Sequence, residues 1–142
     1  NNMAITLEKL LELLNKDLEW EYAAAIQYIQ HAAVLTGSQY KAIEAELVIH
    51  ATEEMNHAKS LSDQIAYLGG VPTMEVELRE TSDDSKELLR QDLKGELNAI
   101  EGYKERIAQA EELKLYGLRR ALEDILIQEE EHYRDIAFML GK

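Results

Sequence analysis

Apolar residues recur every three or four positions through four long stretches of this chain, the period of a helix with one buried face. At about 100° per residue, Leu10, Leu14, Tyr28, Ala32 and Leu35 share one stripe of the first stretch. Ile43, Leu47, Leu61, Ile65 and Leu68 do so in the second, and Leu89, Tyr103 and Ile107 in the third. Leu118, Leu122, Ile136 and Leu140 line the fourth. The first helix is expected from Leu7 to Thr36, with Thr6 as N-cap and Gly37 as its stop. The second is expected from Gln39 to Leu68, ended by Gly69-Gly70-Val71-Pro72. The third starts near Ser85, where Asp84 and Glu87 have the spacing of a capping box, and ends at Glu112 or Leu113. The fourth runs from Tyr116 to Leu140, before Gly141.

The connections set the topology. Short turns at Gly37-Ser38 and between Leu113 and Gly117 make antiparallel pairs of helices 1 with 2 and 3 with 4. Between the pairs lie about sixteen residues, Gly69 to Asp84, in which Thr73 to Leu78 alternate polar and apolar as extended chain does. Such a segment reaches about 50 Å, and a thirty-residue helix is about 45 Å long. The expected fold is therefore all-α: a four-helix bundle with one long crossover between helices 2 and 3, in a single domain over residues 1–142.

The apolar stripes are interrupted by charge. Glu21, Glu54, Glu96 and Glu129 fall in the middle of the four stripes, with His57 and His132 beside them and His50 on the same face as Glu54. Their spacing repeats. Glu12-Leu13-Leu14, Asp17-Leu18, Glu21, Tyr28 and Glu54-x-x-His57 reappear as Glu87-Leu88-Leu89, Asp92-Leu93, Glu96, Tyr103 and Glu129-x-x-His132, always 75 residues later. The domain thus consists of two helix-pair halves related by an internal repeat. Isolated carboxylates inside a bundle cost several kcal/mol each. Four Glu and two His with two divalent cations balance in charge, two Glu bridging and one Glu with one His capping each ion. Oxygen and nitrogen donors without sulfur suit iron or manganese, and zinc fits the same set.

Composition narrows the rest. Apolar residues make up 46% of the chain but include one Phe and one Trp, so Leu, Ile, Ala and Tyr must fill the core. Cys is absent, which excludes disulfides, thiolate zinc sites and iron–sulfur clusters. A net charge of −13 speaks against nucleic acid as a partner and would draw cations toward the surface. No apolar run reaches membrane-spanning length, and the N-terminus lacks a signal-peptide pattern, so a cytoplasmic protein with no membrane partner is expected.

These residues resemble bacterioferritin, of the ferritin-like superfamily, over nearly the whole chain. Leu14-Asn15-Lys16 to Glu21 with Gln27-Tyr28 and His31-Ala32 is similar to its first helix. Glu54-Met55-x-His57-Ala58 with Leu68-x-Gly70-x-Pro72 is similar to its second, Leu89-Arg90-x-Asp92-Leu93-x-x-Glu96-Leu97 to its third and Glu129-Glu130-x-His132 to its fourth. The resemblance implies a ferritin-like fold and a ferroxidase centre of two iron ions per subunit. Its ligands would be Glu21, Glu54, His57, Glu96, Glu129 and His132, with Glu54 and Glu129 bridging. The implied reaction oxidises Fe(II) to Fe(III) with dioxygen or peroxide, for iron storage and detoxification in a homo-oligomer. Tyr28 matches a tyrosine beside that centre, which either donates an electron or packs and hydrogen-bonds a ligand. Met55 matches an axial haem ligand at a dimer interface, and ordinary dimer packing fits it as well. Ten residues follow His132, so the short fifth helix of that family is not expected, and a dimer or a larger shell stays open. His50 stands where a carboxylate is expected, and the roles of His31, Asp17 and Asp92 stay undecided. The competing reading is a dimetal oxidoreductase without storage, a rubrerythrin-like peroxidase or a dimanganese catalase.

Overall fold

The structure is a computed structural model that describes residues 4–142. Four helices form where the stripes lie: α1 (Leu7–Val34), α2 (Lys41–Tyr67), α3 (Ser85–Glu112) and α4 (Tyr116–Met139). A single 3₁₀ turn, Ser38–Tyr40, precedes α2. Thr6 caps α1 by accepting from the Lys9 N–H at 3.1 Å. Asp84 caps α3 by accepting from the Glu87 N–H at 3.1 Å. The expected capping box is only half formed there, because the Asp84 N–H donates to Ser82 Oγ at 3.0 Å rather than to Glu87. Between α1 and α2 the chain turns at Gly37, whose φ of 114° suits a residue without Cβ. Between α3 and α4 the left-handed position is taken by Lys114 at φ 59°.

The helices pack α1 on α2, α3 on α4, α1 on α3 and α2 on α4. Every neighbouring pair is antiparallel. Down the α1–α3 interface Ile5 pairs with Glu112, Asp17 with Arg106, Glu21 with Tyr103 and Tyr28 with Glu96. Across α2–α4, His50 pairs with Asp135, Glu53 with His132 and His57 with Gln128. This order requires the crossover to travel the length of the bundle. It does so along α1: Asn15 donates to the Val71 carbonyl, the Glu77 N–H donates to the Glu19 carbonyl, and the Glu80 N–H donates to Gln27. Lys16 also pairs with Glu77. The segment is extended without joining a sheet, and its backbone polar groups find partners on α1, at the Glu19 carbonyl and the Asn15 and Gln27 side chains, and at Gln91 of α3.

Two apolar clusters fill the interior. One gathers Leu10, Leu14, Leu18, Leu61, Ile65, Leu118, Leu122 and Ile125; the other Tyr28, Ile43, Leu47, Leu89, Leu93 and Ile136. On each helix the inward Glu lies between the residues of one cluster and those of the other. The carboxylates therefore occupy a polar layer between two dry ones. Trp20 and Phe138 stay outside, 51% and 80% exposed, so aliphatic residues and tyrosine do make the core.

Candidate metal centre

Each half of the chain supplies the polar layer in the same way. Glu21 and Glu96 come from the middle of α1 and α3; Glu54 with His57 and Glu129 with His132 come as i, i+3 pairs on one face of α2 and α4. All six are buried. Glu21, Glu54, His57 and Glu129 each bring one donor atom within 4.8 Å of the others, and so do Glu54, Glu96, Glu129 and His132. Glu54 and Glu129 belong to both groups. Their Oε1 atoms lie 3.7 and 3.3 Å from His57 Nδ1, and 2.9 and 3.4 Å from His132 Nδ1.

Each of the six residues also leaves one buried donor atom without a hydrogen-bond partner: Glu21 Oε2, Glu54 Oε1, His57 Nδ1, Glu96 Oε2, Glu129 Oε1 and His132 Nδ1. Unsatisfied buried polar atoms are rare and costly. Six in one layer, hard oxygen plus imidazole nitrogen, fit a pair of divalent cations.

The remaining atoms of these side chains are held from outside. Tyr103 donates to Glu21 Oε1 at 2.5 Å, and Tyr28 donates to Glu96 Oε1. His57 Nε2 lies 2.6 Å from Gln128 Oε1, and His132 Nε2 lies 3.3 Å from Glu53 Oε1. With Nε2–H donating outward, Nδ1 of both rings faces the carboxylates, carrying a proton while no cation is bound and offering its lone pair to a cation that displaces that proton. Every one of these pairs recurs at the 75-residue offset. Further out the same relation holds: Asp92 bonds His31 at 2.9 Å, and Asp17 bonds Arg106 at 2.9 Å.

Without a cation, protons must balance the layer. Burial, then Glu129 and Glu21, raises the Glu54 carboxyl well above the usual range. Burial and Glu129 push Glu96 up to about 8. Burial also opposes ionisation of Glu129, but the neighbouring His132 and His57 imidazoles outweigh it and hold that carboxyl well below the usual range. Burial disfavours the imidazolium of His57, yet Glu129 and Glu21 raise it to about 11; Glu129 and Glu96 likewise raise His132 to about 10. A cavity of about 440 Å³, lined by Trp20, Lys94 and Asn98 at the surface and by Glu21, Glu54, Glu96 and Glu129 within, leads in between α1 and α3.

The other residues singled out in the sequence separate clearly. Tyr28 is buried against Glu96. His50 is buried, stacks on His132 with ring centroids 4.0 Å apart, and places Nε2 3.3 Å from Asp135. His31 is buried and bonds Asp92 and the Glu80 carbonyl, so it ties the crossover to α3. Met55 points away from the layer and is 49% exposed. Glu53 and Gln128 escaped the sequence reading. Each lies one turn before a layer histidine, at the repeat spacing, which is the signal that points to them.

Known proteins are similar to this chain in sequence and fold. Residues 11–142 match the family model for the ferritin-like domain. Bacterioferritin of Brucella melitensis biotype 1 is 32% identical over 125 residues, 87% of this chain and 78% of that protein. A nutrient stress-induced DNA-binding protein of Nostoc sp. is 28% identical over 141 residues, 92% of this chain and 77% of that protein. A solved structure described as ferritin-like, diiron-carboxylate proteins from Bacillus anthracis str. Ames superposes with a TM-score of 0.91 at 30% identity, covering 97% of this chain and 99% of that one. With the family model matched over residues 11–142 and the four-helix fold superposing on a ferritin-like, diiron-carboxylate structure, the chain belongs to the ferritin-like family.

Proposed function

We propose that this chain is a bacterioferritin-like ferroxidase that takes two Fe(II) ions as substrate and oxidises them to Fe(III) with dioxygen or peroxide. One observation carries the reading: six buried side chains each turn an unpartnered donor atom into one layer, in two groups that share Glu54 and Glu129. Glu21 and His57 would hold one ion, Glu96 and His132 the other, and Glu54 and Glu129 would touch both. Iron supplies the electrons. Two Fe(II) give two electrons, and dioxygen with two protons becomes hydrogen peroxide; peroxide with two protons becomes two waters.

The protein's part is binding and positioning. Binding two cations displaces the protons that otherwise balance the layer, and the cavity between α1 and α3 gives ions and oxidant a way in. Tyr103 and Tyr28 fix the orientation of Glu21 and Glu96 by occupying one oxygen of each, leaving the other free to bind. Neutral Tyr28 and Tyr103 suit that role, because burial, then Glu96 or Glu21 respectively, raises both phenols well above the ordinary value.

Storage requires a hollow homo-oligomer; the bacterioferritin likeness supports a homo-oligomer, a dimer or a larger shell. A haem between two copies, ligated by Met55, is supported by the half-exposed Met55 and by Val48, which shares its helix stripe two turns earlier. Among the described residues no helix is long and apolar enough to cross a membrane. The deciding experiment is stopped-flow Fe(II) oxidation in wild type and Glu54→Ala. Loss of rapid oxidation in the variant is expected. Wild-type kinetics in Glu54→Ala would place catalysis elsewhere. The mass of the assembly then separates storage from a dimetal peroxidase or catalase.

A further inference from the structure

The two halves of the layer match in every residue that faces the ions but not in what lies behind the histidines. Behind His57 stands the neutral Gln128, its Oε1 2.6 Å from Nε2. Behind His132 stands Glu53, its Oε1 3.3 Å from Nε2. The difference continues outward. His50 stacks on His132 at 4.0 Å, and Glu46, His50 and Asp135 bring donor atoms within 4.8 Å of one another. At the 75-residue offset, Glu46 corresponds to Ala121, His50 to Ile125 and Asp135 to Ser60. Three carboxylates therefore surround the His132 side where the other half has Gln, Ala and Ser. Asp124, one turn before Gln128, is exposed and paired with Arg120 at 3.2 Å.

We infer that the two cation positions are unequal, and that the position formed by Glu96 and His132 fills first and holds its ion more tightly than the one formed by Glu21 and His57. The inference rests on the dinuclear reading above. Two effects share one sign. A carboxylate that accepts Nε2–H makes the imidazole a stronger donor at Nδ1 than an amide oxygen does. The three carboxylates also attract a cation through space. Replacing such an outer partner changes metal affinity by about ten- to a hundredfold. Glu53 is partly exposed, 24% by side chain, so water screens its charge and the lower end applies. The shorter bond from His57 to Gln128 does not reverse the order, because an amide oxygen carries only part of a charge. With metal below one equivalent, the chain then carries a single ion beside His132, and the position at His57 is the one that exchanges.

Co(II) provides the probe, read by calorimetry and by anomalous diffraction. Wild type should bind two equivalents in two steps about tenfold apart, and crystals given one equivalent should show the stronger peak near His132 Nδ1. Glu53→Gln should weaken the first step about tenfold and even out the peaks. Glu53→Gln with Gln128→Glu should move the stronger peak to His57. Both changes are isosteric at the rim of the bundle, so far-ultraviolet circular dichroism should stay that of wild type. Equal peaks in wild type, a stronger peak at His57, or an unaltered first step in Glu53→Gln each overturns the inference. Two bound Co(II) ions in a protein that fails to oxidise iron would overturn the ferroxidase reading and leave this one standing. No Co(II) between the helices would overturn both.

Discussion

Tyr103 donates to Glu21 Oε1 at 2.5 Å across the α1–α3 interface, and Oε2 of the same carboxylate has no partner. The phenol thus satisfies one oxygen and aims the other at the layer. Tyr28 and Glu96 repeat the relation in the other half.

Removing one of these hydroxyls tests what it does. A buried hydrogen bond to a charged group contributes about 1.5–3 kcal/mol. Tyr103→Phe is expected to lose about 2 kcal/mol of stability and to weaken divalent-metal binding about tenfold. Tyr28→Phe should weaken metal binding as much but cost less stability, about 1 kcal/mol, because Glu96 keeps its proton up to about pH 8; urea unfolding and calorimetry measure the two. If Tyr28 also donates an electron, single-turnover Fe(II) oxidation will slow far more in Tyr28→Phe than in Tyr103→Phe. Equal rates in the two variants would leave Tyr28 with the positioning role alone.

Stability of the metal-free protein should fall as pH rises from about 5 to 8.5. Glu96 is raised from 4.5 to about 8, so the folded state holds a proton that the unfolded state has released across that window. Its contribution is present below pH 4.5 and lost by pH 8. His57 and His132, raised from 6.5 to about 11 and about 10, add the same trend above pH 6.5. Glu129 runs the other way: its depressed carboxyl adds stability above 4.5 and loses it in acid. Thermal melts in chelator across this range should show the decline. A melting temperature that is flat or rising to pH 8.5 would mean that these groups do not hold the protons assigned to them.

Bound cations should remove that decline, because they replace the protons. An ion at a hundred times its dissociation constant adds about 2.7 kcal/mol, which for a chain of this size raises the melting temperature by about 5–10 °C. Differential scanning calorimetry with Mn(II) or Zn(II), at pH 8 and at pH 5.5, should show the larger gain at pH 8. An equal gain at both would mean that metal binding releases no protons from the layer.

Much of this architecture is legible in the sequence. The four stripes place the helix ends within about two residues, since a long amphipathic period fixes an element before tertiary contacts act on it. The repeat singles out all six residues of the layer, because it marks positions rather than residue types. What stays hidden depends on which helix faces which. Glu53 and Gln128 reach their histidines across the α2–α4 interface, a pairing that no single-helix period contains. His31 is undecided in sequence because its partners, Asp92 and the Glu80 carbonyl, belong to α3 and to the crossover. The capping box at Asp84 fails through a local competitor, Ser82, only two residues away.

The outer pairs differ in one instructive way. His31 and Arg106 occupy equivalent positions against Asp92 and Asp17, yet only Arg106 carries a permanent charge. Burial pushes Asp17 up to about 7 even with Arg106 2.9 Å away, so the ion pair is present mainly above neutrality. Removing one partner of a buried pair costs about 3–5 kcal/mol, and replacing both by apolar residues is often neutral. Arg106→Met is therefore expected to lose several kcal/mol at pH 8 and less at pH 5.5, where the carboxyl of Asp17 takes a proton. Asp17→Leu with Arg106→Met should recover most of the loss and flatten the pH dependence. Urea unfolding of the two variants at both pH values measures this. A single variant equally unstable at pH 5.5 and 8 would show that packing of the Arg106 side chain, not its charge, holds α1 against α3 at this position.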